Sequence, residues 1–126
     1  MKKVRVLAVD DDPAMLEVTS GFLRALGHCV DAFLDSRDAL DKLKLHGLAF
    51  NLVVTDLRMG TNPDGLTVIQ EAQKANPRIK AFLVTGDVDC HNLITEAVKK
   101  LGAKVLFKPF TLESFRDAVE TAVRET

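Results

Sequence analysis

The chain has 126 residues, 47% of them apolar and 28% charged, which suits one compact domain with a real core and excludes a disordered segment. Seventeen basic against eighteen acidic side chains leave a net charge of -1, so a broad basic footprint for nucleic acid is absent. The longest apolar runs are strand-sized, far short of the ~20 residues a membrane-spanning helix needs, and the Met-Lys-Lys start leads into "VRVLAV" with no small-residue cleavage site, so no signal peptide is expected.

The first apolar run, residues 4–9, reads as a strand and stops at three consecutive acids, Asp10, Asp11 and Asp12. Asp12 precedes Pro13, a favoured first helical residue, and is therefore predicted as the N-cap of the first helix. That helix is predicted to place Met15, Val18, Phe22 and Leu26 on its inner face and to end at Gly27. A second strand covers residues 28–33, and Ser36 is the predicted N-cap of a helix closed by a left-handed Gly47. The third strand, residues 50–55, leads to "LTVIQEAQKA", a helical segment stopped by Pro77. The fourth strand, residues 79–85, leads to the helical "LITEAVKKL" and Gly102; the fifth, residues 104–107, leads to a last helix capped by Thr111.

Five strand–helix units in succession predict a parallel sheet covered by helices on both faces, with right-handed crossovers. Val- and Leu-rich strands with little polar alternation agree with a sheet buried on both sides. The expected fold is α/β: a flavodoxin-like, doubly wound, five-stranded sheet of order 2-1-3-4-5. No repeat, linker or low-complexity tract divides the sequence, so residues 1–126 are expected to form one domain. Cys29, Cys90, His28, His46 and His91 lack metal-ligand spacing and are read as structural, the thiols as buried or half-buried. Two unpaired cysteines fit a reducing compartment, and a cytoplasmic location is the expectation.

In such a fold, ligands sit beyond the carboxyl ends of the strands. Strand 1 ends at Asp10 and Asp11, strand 3 at Asp56, strand 4 at Thr85 and strand 5 at Lys108. Singly, these are ordinary: an Asp starts a turn, a Thr ends a strand, a Lys is solvated. Together they converge on one rim. Clustered carboxylates raise one another's pKa unless a cation intervenes, and oxygen-only ligands select a hard ion, Mg²⁺ or Mn²⁺. Asp56, on the central strand, is then the best nucleophile toward a phosphoryl group, giving an aspartyl phosphate. Lys108 supplies positive charge and Thr85 a hydroxyl donor to the transferring group.

The motifs "VLAVDDDP", "LVVTDLRM", "DGL", "AFLVTG" and "LFKPF", in this order along the chain, resemble the receiver domain of two-component response regulators. The resemblance implies that Asp56 is the phosphoacceptor for a sensor histidine kinase or phosphotransfer protein. It implies a metal site built from Asp10, Asp11, Asp56 and the backbone carbonyl of Arg58, with Thr85 and Lys108 contacting the phosphoryl oxygens. It further implies a shift of the face made by helix 4, strand 5 and helix 5, controlling a downstream effector or a fused output domain. The chain departs from the family in three places. "GTNPDG" replaces the usual Pro and short run to Asp-Gly, so the loop from Gly60 to Asp64 differs. Val105 stands where the family usually carries a rotating Tyr or Phe. Arg58 and Asp87 occupy two variable positions that modulate phosphoryl lifetime.

The expected protein is a signalling switch that assists its own phosphorylation, not a turnover enzyme. Direct contact with nucleic acid or membrane is not expected, and a monomer or weak dimer is. Three readings compete. A phosphatase with an Asp nucleophile would want a carboxylate where Arg58 stands and a capping insertion. A flavin carrier would have its phosphate repelled by Asp10 to Asp12. A pseudo-receiver would bind partners without phosphorylation, a reading that Val105 and the altered loop keep open.

Overall fold

The computed structural model describes residues 3–60, 63–86 and 91–125. Strands β1 (Arg5–Val9), β2 (Cys29–Phe33), β3 (Leu52–Asp56), β4 (Lys80–Thr85) and β5 (Lys104–Phe107) alternate with helices α1 (Pro13–Ala25), α2 (Ser36–His46), α3 (Gly65–Ala75), α4 (His91–Leu101) and α5 (Leu112–Arg124). A single 3-10 turn, Gly47–Ala49, links α2 to β3. All strand pairs are parallel and the order is β2-β1-β3-β4-β5, the doubly wound, flavodoxin-like arrangement expected from the sequence.

Alternate residues of the central strands face opposite layers, as the pleat requires. Leu7, Val9, Val53 and Leu83 pack on α2, α3 and α4 through Ala39, Leu43, Val68, Ile69, Ala72 and Ala97. Val6, Leu52, Val54, Phe82 and Val84 pack on α1 and α5 through Leu23, Phe115, Val119 and Val123. Phe115 anchors the second layer, with Phe22 and Phe110 rings at 5.9 and 5.3 Å.

Two helix starts follow the prediction. Asp12 caps α1 by accepting from the Ala14 N–H at 3.0 Å, with Pro13 in the first turn. Thr111 caps α5 in a reciprocal box with Ser114. The start of α2 differs: Asp35, not Ser36, accepts the Arg37 N–H at 2.8 Å, and Ser36 is buried one position inside the helix. The inner face of α1 also differs. Leu16, Thr19, Ser20 and Leu23 are buried, whereas Val18 is 41% exposed and Met15, Phe22 and Leu26 are only half-buried. Ser20 enters the core because its hydroxyl donates back to the Leu16 carbonyl.

Gly27 and Gly102 take the left-handed conformations expected after helices. Gly47 does not; its φ is -56°. It is needed for space, since a Cβ there would collide with the Cβ of Ala75 where α2 passes α3. Cys29 is exposed on edge strand β2 rather than buried, and Cys90 lies outside the described residues. Among the described residues, no helix is long and apolar enough to cross a membrane.

Candidate functional site

The parallel sheet delivers Asp10, Asp56, Thr85 and Lys108 to one edge because each residue ends or follows a strand pointing the same way. β1 stops one residue short of Asp10, whose N–H donates to the Phe33 carbonyl at 3.1 Å. Strand β2, which offers the site no side chain from its motif, thus holds Asp10 through its backbone. The Asp12 N–H donates to Asp10 Oδ1 at 3.0 Å. The three acids therefore do separate work: Asp10 is oriented by the chain, Asp12 caps α1, and the exposed Asp11 brings a carboxylate oxygen to within 4.8 Å of those of Asp10 and Asp56.

Asp56 ends β3 and is half-buried. Its Oδ1 accepts the Leu57 N–H at 2.8 Å, while its Oδ2 lies 3.6 Å from Lys108 Nζ. Lys108 Nζ also donates to Asp10 Oδ2 at 3.1 Å. The lysine is held in turn by its own backbone, whose N–H donates to the Thr85 carbonyl at 2.8 Å. Thr85 is buried at 1% exposure and pairs in register with Phe107. Arg58 is exposed two residues beyond Asp56. Asp87 lies outside the described residues, as do two residues of the Gly60–Asp64 loop. That loop passes close to the site at its start, where a Cβ on Gly60 would sit 3.8 Å from Asp11 Oδ2.

Carboxylate oxygens of Asp10, Asp11 and Asp56 all lie within 4.8 Å of one another. Three carboxylates against one ammonium leave a local charge of about -2 at full ionisation, with little solvent around Asp10 to spread it. Burial pushes the Asp56 carboxyl above its ordinary range; Lys108 opposes the rise and Asp10 adds to it. A group of oxygens with net negative charge fits a small divalent cation. The residues present are therefore suited to Mg²⁺ or Mn²⁺, with Asp10, Asp11 and Asp56 as the side chains able to hold it.

Val105 is half-buried on β5, opposite Leu83 in register, and packs on the layer of α3 and α4. The contributions of Phe33 and Leu57 had no sequence signal, since both act through backbone atoms that every residue possesses.

Fold and site together define a flavodoxin-like domain with an acidic, cation-competent centre at the carboxyl ends of its strands. The model of the response regulator receiver domain matches residues 6–120, and the chain belongs to that family of two-component signalling domains. It is 27% identical over 125 residues to the transcriptional regulatory protein ZraR of Klebsiella oxytoca, a match covering 99% of this chain and 27% of that protein. It is 32% identical over 122 residues to the response regulator protein TmoT of Ectopseudomonas mendocina, covering 94% of this chain and 52% of TmoT. The chain thus spans about half, or less, of the length of these curated relatives. Among solved structures, a response regulator receiver protein from Sinorhizobium medicae WSM419 superposes with a TM-score of 0.86 at 27% identity, covering 98% of this chain and 96% of that one.

Proposed function

We propose that this domain, taken as residues 1–126, is a phosphoacceptor switch in which Asp56 receives a phosphoryl group from a histidine kinase or phosphotransfer protein. The observation that carries the reading is the convergence of Asp10, Asp11 and Asp56 within 4.8 Å, with Lys108 Nζ reaching both Asp10 and Asp56. Asp10, Asp11, Asp56 and the Arg58 carbonyl would hold Mg²⁺ or Mn²⁺, which when bound supplies charge neutralisation for the acids and the incoming phosphoryl oxygens.

In the transfer, an oxygen of Asp56 forms a bond to phosphorus as the N–P bond of the donor phosphohistidine breaks. The electron pair of that bond returns to the imidazole nitrogen. Lys108, already beside Asp56 Oδ2, neutralises charge on the transferred group, and Thr85, at the end of the adjoining strand, donates its hydroxyl to it. Arg58 and Asp87, at the two variable positions of the family pattern, set how readily water reaches the acyl phosphate. The product carries a charge of about -1.5 to -2 where one carboxylate charge stood, at a site whose strands lead directly to α4 and α5, and partners read the altered face of α4, β5 and α5. With Val105 in place of a ring, that readout proceeds without an aromatic rotation at this position. The domain works in the cytoplasm as a monomer or weak dimer, with its output in an effector or a fused domain.

The test is incubation with a small phosphodonor and Mg²⁺, followed by intact mass. A single acid-labile gain of one phosphoryl group is expected, absent in Asp56→Asn and absent without Mg²⁺. No gain with a donor shown to be active would overturn the reading in favour of a pseudo-receiver that binds partners unphosphorylated, the alternative that Val105 and the altered loop keep open.

A further inference from the structure

The carbonyl oxygen of Asp56 is enclosed in a way that none of the side-chain roles above requires. From one side the Thr55 hydroxyl donates to it at 2.9 Å, and Thr55 has no exposed surface. From another side Gly65, the first residue of α3, rests against it. A Cβ on Gly65 would collide with that oxygen, and would stand 3.0 Å from the carbonyl carbon and 3.1 Å from Leu57 Cα. Gly65 also donates its N–H to the Leu57 carbonyl at 2.8 Å, closing the loop of residues 57–65 on itself.

We infer that Thr55 and Gly65 form a clamp on the Asp56–Leu57 peptide and are positioning residues for Asp56; the inference rests on the phosphoacceptor reading above. The oxygen and the N–H of one peptide unit are rigidly opposed across its plane. Fixing the Asp56 oxygen between the Thr55 hydroxyl and Gly65 therefore fixes where the Leu57 N–H points. That N–H holds Asp56 Oδ1 at 2.8 Å, and this bond leaves Oδ2 turned toward Lys108. The clamp thus decides which carboxylate oxygen is engaged by the backbone and which faces the cation and the incoming group.

The clamp also bounds the altered loop. Residues 60–64 carry the departure from the family pattern, yet the loop is tied at Leu57 and Gly65. A change of length between those ties is absorbed without turning Asp56. Gly65 is required here for close approach of two backbones, not for an unusual dihedral.

Thr55→Val keeps the β-branched shape in the buried strand and removes only the donor; Thr55→Ser restores the donor. For the full chain, Mg²⁺ affinity and the rate of phosphoryl uptake from a small phosphodonor are measured for both variants, for Gly65→Ala, and for Val53→Ala as a control. Val53 is buried two residues before Thr55 on the same strand and has no side-chain polar atom to give the clamp, so it reports loss of packing alone. Thr55→Val is expected to lose roughly tenfold in Mg²⁺ affinity and uptake, the low end of what outer-shell partners contribute. Thr55→Ser and Val53→Ala should stay within about twofold of the parent on the same scale. Gly65→Ala should lose at least as much as Thr55→Val where it folds. Parental constants in Thr55→Val, or a loss in Thr55→Ser equal to that in Thr55→Val, would overturn the clamp alone. A parent that takes up no phosphoryl group from an active donor removes the phosphoacceptor reading, and the clamp's role with it.

Discussion

Lys108 touches two carboxylates at once, and the two contacts are unequal. At 3.1 Å from Asp10 it makes a hydrogen-bonded ion pair; at 3.6 Å from Asp56 it makes a looser one. Both pairs are largely removed from solvent, so added salt screens them weakly. The nearer partner is Asp10, fixed by the Phe33 carbonyl and the Asp12 N–H; the farther is the proposed acceptor, which keeps one oxygen loosely held. His28 shows the same concern for placement in an inert setting. It is buried, accepts the Val4 N–H on Nδ1 at 3.2 Å, and has no partner for Nε2 among the described residues. Burial depresses its pKa below the ordinary value of 6.5, because a charged ring there would be poorly solvated. The unfolded chain then binds the proton at higher pH than the folded chain does. The stability His28 contributes is full above pH 6.5 and falls as the pH drops from there toward the folded-state value. Urea unfolding at pH 7.5 and 5.5 is expected to show a lower midpoint at the acid pH, and a smaller difference in His28→Asn. An equal difference in both proteins would exclude His28 as its source.

At the scale of elements, the helix caps test how local sequence stabilises the fold. Thr111 and Ser114 satisfy each other's backbone donors at the start of α5, and α5 buries Phe115, Val119, Ala122 and Val123. Thr111→Ala should destabilise the domain by about 1 kcal/mol and Thr111→Ser by far less, read as a shift of urea midpoint at constant slope. No shift for Thr111→Ala would mean that packing of Phe115 alone fixes the helix start. This cap was readable because Thr111 stands immediately before a helix-period segment. The strands were equally legible: their Val and Leu runs place them within two residues of where they lie. Errors arose where a polar residue does apolar work or a neighbour competes for the same task. Ser20 satisfies its own hydroxyl and so turns α1 by about one position relative to its hydrophobic pattern. Asp35 outcompetes Ser36 as a cap, sending Ser36 inward. The carboxyl-end residues Asp10, Asp11, Asp56, Thr85 and Lys108 were legible as a set because the topology names those positions. The backbone groups of Phe33, Leu57 and Gly65 that orient them were not, since their effect depends on three-dimensional approach.

For the molecule as a whole, the site opposes the fold that builds it. Asp56 stands beside Asp10 in a half-buried setting that raises its pKa. A group whose pKa is raised on folding contributes its stability below its unfolded value of 3.8, and loses it as the pH rises through the folded value. Above pH 3.8 the raised pKa of Asp56 therefore weighs against the folded domain, and at pH 7 Asp56→Asn should melt at a higher temperature than the parent in metal-free buffer. Mg²⁺ should act in the opposite sense. A ligand held by the folded chain and not by the unfolded one adds about 2.7 kcal/mol at one hundred times its dissociation constant. The parent should accordingly gain several degrees on titration with Mg²⁺, whereas Asp56→Asn, with one carboxylate fewer, should gain less, so that the gap between the two narrows. Thermal melts of both proteins in chelator and in rising Mg²⁺ measure this directly. A parent whose melting temperature ignores Mg²⁺ would remove the metal from the proposed switch. A parent that melts above Asp56→Asn in chelator would show that the Lys108 pairing outweighs burial and repulsion, so that the acid site would be stable without a cation.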